Sequence, residues 1–279
     1  MRLTVVHETS YRYESEMVQS TLLLRLTPPT LPGQQVVAWR LQAEAPLTDA
    51  GLDGFGNAMH LLTCHGRHEQ VSVKAFGTVD TDSLPIRSGD ALSPLLFLRH
   101  SDLTLPDAAL ADFAGRFEGR IRTPARLRDL SAAVHAGMGG DLPAMAGGQH
   151  AAGAAEAWAR GSGGSAEQAQ VLVSVCRELG LPARHVSGYV LAAHASGLRV
   201  SSHAWAEVWL ADAWHSADVA LQCQAGERHV RLALGRDALD TCAMRSMGQG
   251  SLHAGSVVPV AGRGDETLAR VMAMQQQQQ

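Results

Sequence analysis

The chain is poor in aromatic residues, at 5% of 279, and in charge, at 18%, with 27 acidic side chains against 23 basic ones. A formal net charge of −4 leaves no basic excess to hold a nucleic acid or an anionic membrane, so neither is expected as a partner. Cysteine is scarce as well. Cys64, Cys176, Cys223 and Cys242 form no C-x-x-C pair, and their wide spacing reads as reduced thiols of a cytoplasmic protein rather than a disulfide frame. Long apolar runs are missing: no stretch approaches the roughly 18 residues of a membrane helix. The amino-terminal MRLTVVHETSYRY alternates like a strand where a signal peptide would carry an apolar block. What is present is length, enough for about two domains at roughly 150 residues each.

Three textures follow one another. Residues 1–82 are β-rich, with Leu3, Val5, His7, Thr9, Tyr11 and Tyr13 on one parity and further runs at 21–26, 36–43, 58–64 and 71–79. Breaks at Pro28–Pro29, Pro32–Gly33 and Asp53–Gly54–Phe55–Gly56–Asn57 make this an antiparallel, sandwich-like module. Residues 83–160 turn to Ala, Leu and Arg and read as a helical connector leading into a core, with helices over 107–120 and 124–138. From 161 to 260 a helix opening at Ser165 precedes strand-like segments. Its Ala169, Leu172, Val173, Cys176 and Leu179 form one apolar stripe, and Gly180 and Pro182 stop it. Residues 261–279 end in five glutamines and read as a disordered tail.

Three of the five tryptophans, Trp205, Trp209 and Trp214, fall within ten residues and mark either a packed nucleus or the wall of a site. Around them, Ala204, Ala206, Val208 and Leu210 alternate with His203, Trp205, Glu207 and Trp209. The next segment puts Trp214, Ser216 and Asp218 on one parity. A hairpin whose loop holds an even number of residues would bring His203 and Asp218 to one face, opposite or diagonal. A carboxylate beside a histidine fixes the imidazole tautomer, which a general base in acyl transfer requires. Cys64–His65–Gly66–Arg67–His68 carries metal-type side chains at a spacing that fits no zinc module, so no metal is expected there.

The segment Gly180–Leu181–Pro182–Ala183–Arg184, then His203–Ala204–Trp205–Ala206–Glu207–Val208–Trp209 and Trp214-x-x-x-Asp218, resembles the transglutaminase-like core, a papain-type fold. His7-x-Thr9-x-Tyr11-x-Tyr13, Arg25–Leu26–Thr27–Pro28 and Asp53–Gly54–Phe55–Gly56–Asn57 resemble the bacterial β-domain that precedes it. The resemblance implies an α+β fold: an antiparallel β-sandwich-like domain at 1–82, then a papain-like core whose nucleophile helix packs on an antiparallel sheet. It implies His203 as base and Asp218 as its orienting carboxylate, with Trp205, Tyr189 and Glu207 lining a substrate cleft. It requires neither metal nor organic cofactor. A peptide or protein is the implied substrate or partner, with a peptide-ligase-type enzyme one such partner.

The resemblance also exposes a departure. The family's nucleophilic cysteine falls at the position held here by Ser165, with Glu167 for its aspartate and Gln170 where histidine is common. A thiol at a helix N-terminus beside an imidazolium ionises, whereas a serine hydroxyl must lose its proton in step with attack. Ser165–Ala166–Glu167–Gln168 also reads as a capping box, with Ser165 as N-cap and Gln168 at N3. Two expectations result: a catalytically impaired or inactive core that binds a peptide or protein partner, or an amide or peptide hydrolase or acyltransferase using Ser165, His203 and Asp218.

Overall fold

The computed structural model describes residues 1–82, 92–139, 152–194, 197–246 and 250–254; the Gln-rich tail at 261–279 lies outside the described residues. In chain order the elements begin with β1 (Arg2–Leu24), β2 (Gln34–Ala43), β3 (Leu47–Leu52) and β4 (Ala58–Thr81). Four helices follow, α1 (Ala108–Gly115), α2 (Pro124–Gly137), α3 (Ala154–Arg160) and α4 (Ser165–Glu178). Then come β5 (Ala183–His194), β6 (Gly197–Leu210), β7 (Ala213–Ala217), β8 (His229–Gly235), β9 (Met244–Ser246) and β10 (Gly250–Ala254).

The first sheet is built on the long antiparallel pair β1 and β4. The parity expected at its start holds, since Leu3, Val5, His7, Thr9, Tyr11 and Tyr13 are all buried. Two segments that looked separate, around 3–13 and 21–26, are one strand. Register shifts between Arg12 and Gln19 absorb the polar stretch and let the ladder resume, as a bulge does. β2 and β3 pair with β4, while β9 and β10 return from the far end of the chain to pair with β1. The core boundary expected at residue 260 is therefore too late: the strands from Met244 onward belong to the first sheet.

The second sheet runs β7-β6-β5-β8, all antiparallel. Its β5 and β8 carry Tyr189, Leu191, Val230 and Leu232 into one apolar cluster with Tyr11, Leu22, Leu24 and Val73 of the first sheet. Two side-chain amides fasten this seam. Gln34 donates to the Arg231 carbonyl at 3.0 Å and accepts from the Arg231 N–H at 2.7 Å. Asn57 does the same to Leu234, at 2.7 and 2.8 Å. Each amide stands in for a strand partner on the outer edge of β8 and satisfies backbone groups that an edge leaves open. Asp53 holds Asn57 in place, accepting from its side-chain and backbone nitrogens and from Arg25.

Helix α4 packs on the second sheet at Ala183, Ala206 and Val208, on the parity that farther along β5 and β6 carries Tyr189, Leu191 and Val200 into the seam. The expected stripe is buried at Ala169, Leu172, Val173 and Cys176, but so is the rest of the helix from Gln168 to Arg177. The helices α1, α2 and α3 cover the side turned away from the sheet. Its buried polar side chains accordingly bond backbone carbonyls. Gln170 donates to Ala152 at 2.6 Å, Ser174 to Thr104 at 2.7 Å, and Arg177 to Phe97, Ala183 and Arg236. Helix α1 is shorter than expected because the chain turns after Gly115 and takes a positive φ at Gly119. Helix α2 opens as expected, with Thr123 as N-cap and Pro124 in the first turn.

Candidate active site

Strand β6 positions the histidine. Leu210 pairs with Ala213, which leaves a two-residue loop, Ala211–Asp212, with φ values of 49° and 60°. Two central residues at positive φ are the mark of a type I′ hairpin turn, and the even loop keeps odd positions of β6 on the face of even positions of β7. Ladder pairing ends at Ala206 with Ala217. Continuing that register puts Asp218 across from Trp205 and diagonal to His203. His203 Nε2 donates to Asp218 Oδ2 at 2.6 Å, a short charge-assisted bond. Asp218 is fully buried, and burial pushes its carboxyl up. The hydrogen bonds from His203 and His229, the His203 charge and the Leu221 N–H outweigh burial and hold it well below the usual carboxylate range.

With Nε2 bound to Asp218, the nitrogen His203 has left is Nδ1. Ser165 comes from the N-terminus of α4, but not as its cap. The N-cap is Gly164, and the N3 residue is Glu167, whose Oε2 accepts the Gly164 N–H at 2.8 Å. Gly164 has no side chain, so only the Glu167 half of a capping box exists, and the expected Ser165/Gln168 box is shifted by one residue. Gln168 instead donates to the Gly163 carbonyl at 2.9 Å. Released from capping, Ser165 Oγ accepts the Ala204 N–H at 3.2 Å. That amide is free to receive it because β7 ends before Ala204. Among the described residues no hydrogen bond joins Ser165 to His203. Glu167, expected to oppose an anion here, has its charge directed to the Gly164 amide and to Arg160, 3.6 Å away.

The three expected cleft residues take other places. Trp205 is fully buried, lies over Gly188 and meets the His229 ring edge-to-face at 5.3 Å. A Cβ on Gly188 would sit 2.0 Å from the Val230 carbonyl oxygen and 3.0 Å from the Trp205 ring, so only glycine allows this packing. Glu207 is 1% exposed and forms a buried ion pair with Arg184, at 2.6 and 2.8 Å. The Arg184 guanidinium lies 3.9 Å over the Trp214 ring. Tyr189 is 1% exposed in the seam between the sheets, its hydroxyl 2.9 Å from His7 Nδ1. None of the three presents a surface to a ligand: the first sheet covers Tyr189, and the segment around Phe97 covers the opposite face, where Trp205 and Glu207 stand. Arg236 pairs with Asp240 at 2.9 Å.

Sequence reasoning missed His229, which donates from Nε2 to Asp218 Oδ2 at 3.0 Å. The available signal was its place at the head of a strand on the same parity as Arg231 and Ala233, but no spacing rule links it to residue 218. His203, Asp218 and His229 bring three metal-type atoms within 4.8 Å of one another. The hydrogen-bond directions argue against that use. Gly226 N–H donates to His229 Nδ1 at 3.3 Å, which leaves the hydrogen on Nε2, the atom a metal would need bare. The cluster fits a proton-handling set better than a ligand set. Cys176, the nearest thiol along α4, is fully buried and pushed up to about 12 by burial, so it cannot serve as a nucleophile.

A helix N-terminus set against a strand-borne histidine, with a carboxylate on the far side of the ring, is the arrangement of a papain-like fold. Comparison with known proteins names it more closely. Residues 3–80 match the bacterial transglutaminase-like N-terminal region and residues 122–219 the transglutaminase-like superfamily. The chain belongs to the transglutaminase-like superfamily. An uncharacterised protein of Mycobacterium leprae (strain TN) is 25% identical over 276 residues, covering 93% of this chain and 98% of that one. A structure described as a putative cysteine protease from Cytophaga hutchinsonii superposes with a TM-score of 0.71 at 16% identity, over 95% of this chain and 92% of that one. That likeness is one of fold.

Proposed function

We propose that this core has kept the base of an acyl-transfer site without a coupled nucleophile, and that it acts by binding a peptide or protein segment. One observation carries the reading: Ser165 Oγ takes the Ala204 N–H and makes no hydrogen bond to His203. A serine needs its proton removed in step with attack, so a hydroxyl not joined to the base is not activated. The peptide class is supported by the edge of β6. Beyond Ala206 that strand has no partner on the β7 side among the described residues, and the main-chain groups of half-buried Ser202 face the same way as the Ala204 amide. An extended segment could pair there, beside the site. The resemblance adds a peptide-ligase-type enzyme as one class of partner. All four cysteines are free, which supports a reducing compartment such as the cytoplasm, and no described helix is long and apolar enough to cross a membrane.

The second reading is hydrolysis or acyl transfer, and the short His203–Asp218 bond favours it. In that sequence His203 Nδ1 takes the hydroxyl proton as Ser165 Oγ bonds the carbonyl carbon of an amide. The proton then passes to the leaving amine as the C–N bond breaks, and water or an amine resolves the acyl-enzyme. Incubation with a fluorophosphonate followed by peptide mapping separates the two. The expected result is no adduct at Ser165. An adduct there that disappears in Ser165→Ala would replace the first reading with the second.

A further inference from the structure

Asp218 serves more than one imidazole. Its Oδ1 accepts the Leu221 N–H at 3.0 Å, while His203 and His229 both converge on Oδ2. His229 is 3% exposed, at the head of β8. Its Nδ1 receives the Gly226 N–H, and an amide nitrogen only donates, so His229 is a neutral ring with its hydrogen on Nε2, aimed at the carboxylate. The ring is held from the side by Trp205 at 5.3 Å. Among the described residues the Trp205 Nε1 has no hydrogen-bond partner, and the indole contributes packing.

We infer that His229 is a positioning residue: its Nε2–H holds the buried carboxylate of Asp218 in the place and charge state from which it fixes the His203 tautomer. The physical need is clear from the burial. A fully buried carboxylate stays ionised only while donors surround it. Without His229, Oδ2 keeps a single donor and the carboxyl gains affinity for a proton. A protonated Asp218 would donate to His203 Nε2 and move the ring hydrogen to Nδ1, the nitrogen that must stay bare to act toward position 165. The inference rests on reading His203 and Asp218 as the base of the site, and not on whether Ser165 reacts.

The test is long-range proton–nitrogen NMR on the full chain labelled at histidine nitrogen, at neutral pH, with thiol reactivity as a second readout. In the wild-type chain, His203 and His229 are both expected as Nε2–H tautomers. In His229→Phe, His203 is expected to lose its single-tautomer signature. In a Ser165→Cys background, iodoacetamide alkylation at position 165 is expected to fall about tenfold with His229→Phe and to recover with His229→Gln, whose amide keeps a donor. A wild-type His229 carrying its hydrogen on Nδ1 would overturn the inference without any variant, so a misfolded Phe variant leaves it decidable. Unchanged His203 signals and alkylation in His229→Phe would overturn it too, as would a Gln variant as slow as Phe, which would assign the effect to ring packing. A fluorophosphonate adduct at Ser165 would end the silent-nucleophile reading and leave this one standing.

Discussion

A buried histidine, His7, and a half-buried one, His203, meet the same four-stranded sheet in opposite electrostatic settings. In the seam, the hydrogen-bond partners of His7 among the described residues are neutral: the Tyr189 hydroxyl at 2.9 Å and the hydroxyls of Thr9 and Ser202 at 3.1 and 3.3 Å. Burial brings it down to about 4, so it is an uncharged connector between the two sheets. At the corner where α4 reaches β6, His203 instead faces a buried carboxylate that its own hydrogen bond helps to keep ionised. Close by, Glu207 of the same strand and Arg184 of β5 form a second set of buried charges. The seam is built from neutral hydrogen bonds and the corner from compensated charge, and the chemistry resides where charge has been buried and paired.

The comparison breaks first at the ion pair. Arg184→Met leaves the Glu207 carboxylate buried with its salt bridge removed, and is expected to cost about 3–5 kcal/mol in urea unfolding. A loss as small as that of a seam hydrogen bond would mean that the corner does not depend on its charges. Acid should act on the seam. His7, and His185 beneath α4, are both held near 4, below the ordinary histidine value, so between pH 6.5 and 4 the unfolded chain binds more protons than the folded one. Their contribution is present above pH 6.5 and lost as pH falls through about 4, up to about 3 kcal/mol for each. His7→Gln should flatten that part of the stability–pH curve, measured by denaturant melts at several pH values. Asp218 acts lower, its contribution fading only as pH falls below the ordinary carboxylate value.

Smaller effects sharpen the picture. Gln34→Ala strips the amide from the Arg231 backbone pair and should cost about 1–3 kcal/mol, with faster amide exchange along β8. Glu167→Ala removes the acceptor for the Gly164 N–H and the charge beside Arg160, and about 0.5–1 kcal/mol of thermal stability is expected to go with it. If Glu167→Ala also changed the reactivity of Ser165→Cys severalfold, the Glu167 charge would be part of the site rather than of the helix end.

Much of this was legible from residue patterns. Alternation at Leu3 to Tyr13 and the helix over 124–138 report local geometry, which a period encodes directly. Strand parity allowed the His203–Asp218 contact only if the hairpin loop were even, and the resemblance to the transglutaminase-like core implied it; the two-residue turn supplies the even loop. What could not be read was anything set by a second layer. Trp205, Tyr189 and Glu207 share the exposed-looking parity of their strands, yet a neighbouring sheet and the Phe97 segment cover them, and alternation carries no trace of that cover. The helix start was misplaced by one residue because Ser165 is a good cap in sequence terms. Here Glu167 satisfies the Gly164 amide, and the hydroxyl is drawn to a strand edge 39 positions away. His229 joined Asp218 through a tertiary contact between β8 and the end of β7, for which sequence spacing gives no rule.

The central claim is that the base is assembled and that only the residue at position 165 silences it. The pH dependence of iodoacetamide alkylation in Ser165→Cys, resolved by site against exposed Cys223, tests this most directly. The account predicts a thiol at position 165 that reacts as a thiolate with an apparent pKa below about 7, lowered by the helix N-terminus and His203. A rate that rises only near the ordinary thiol value of about 8.5 would contradict it, because the imidazole would then not be poised toward that position.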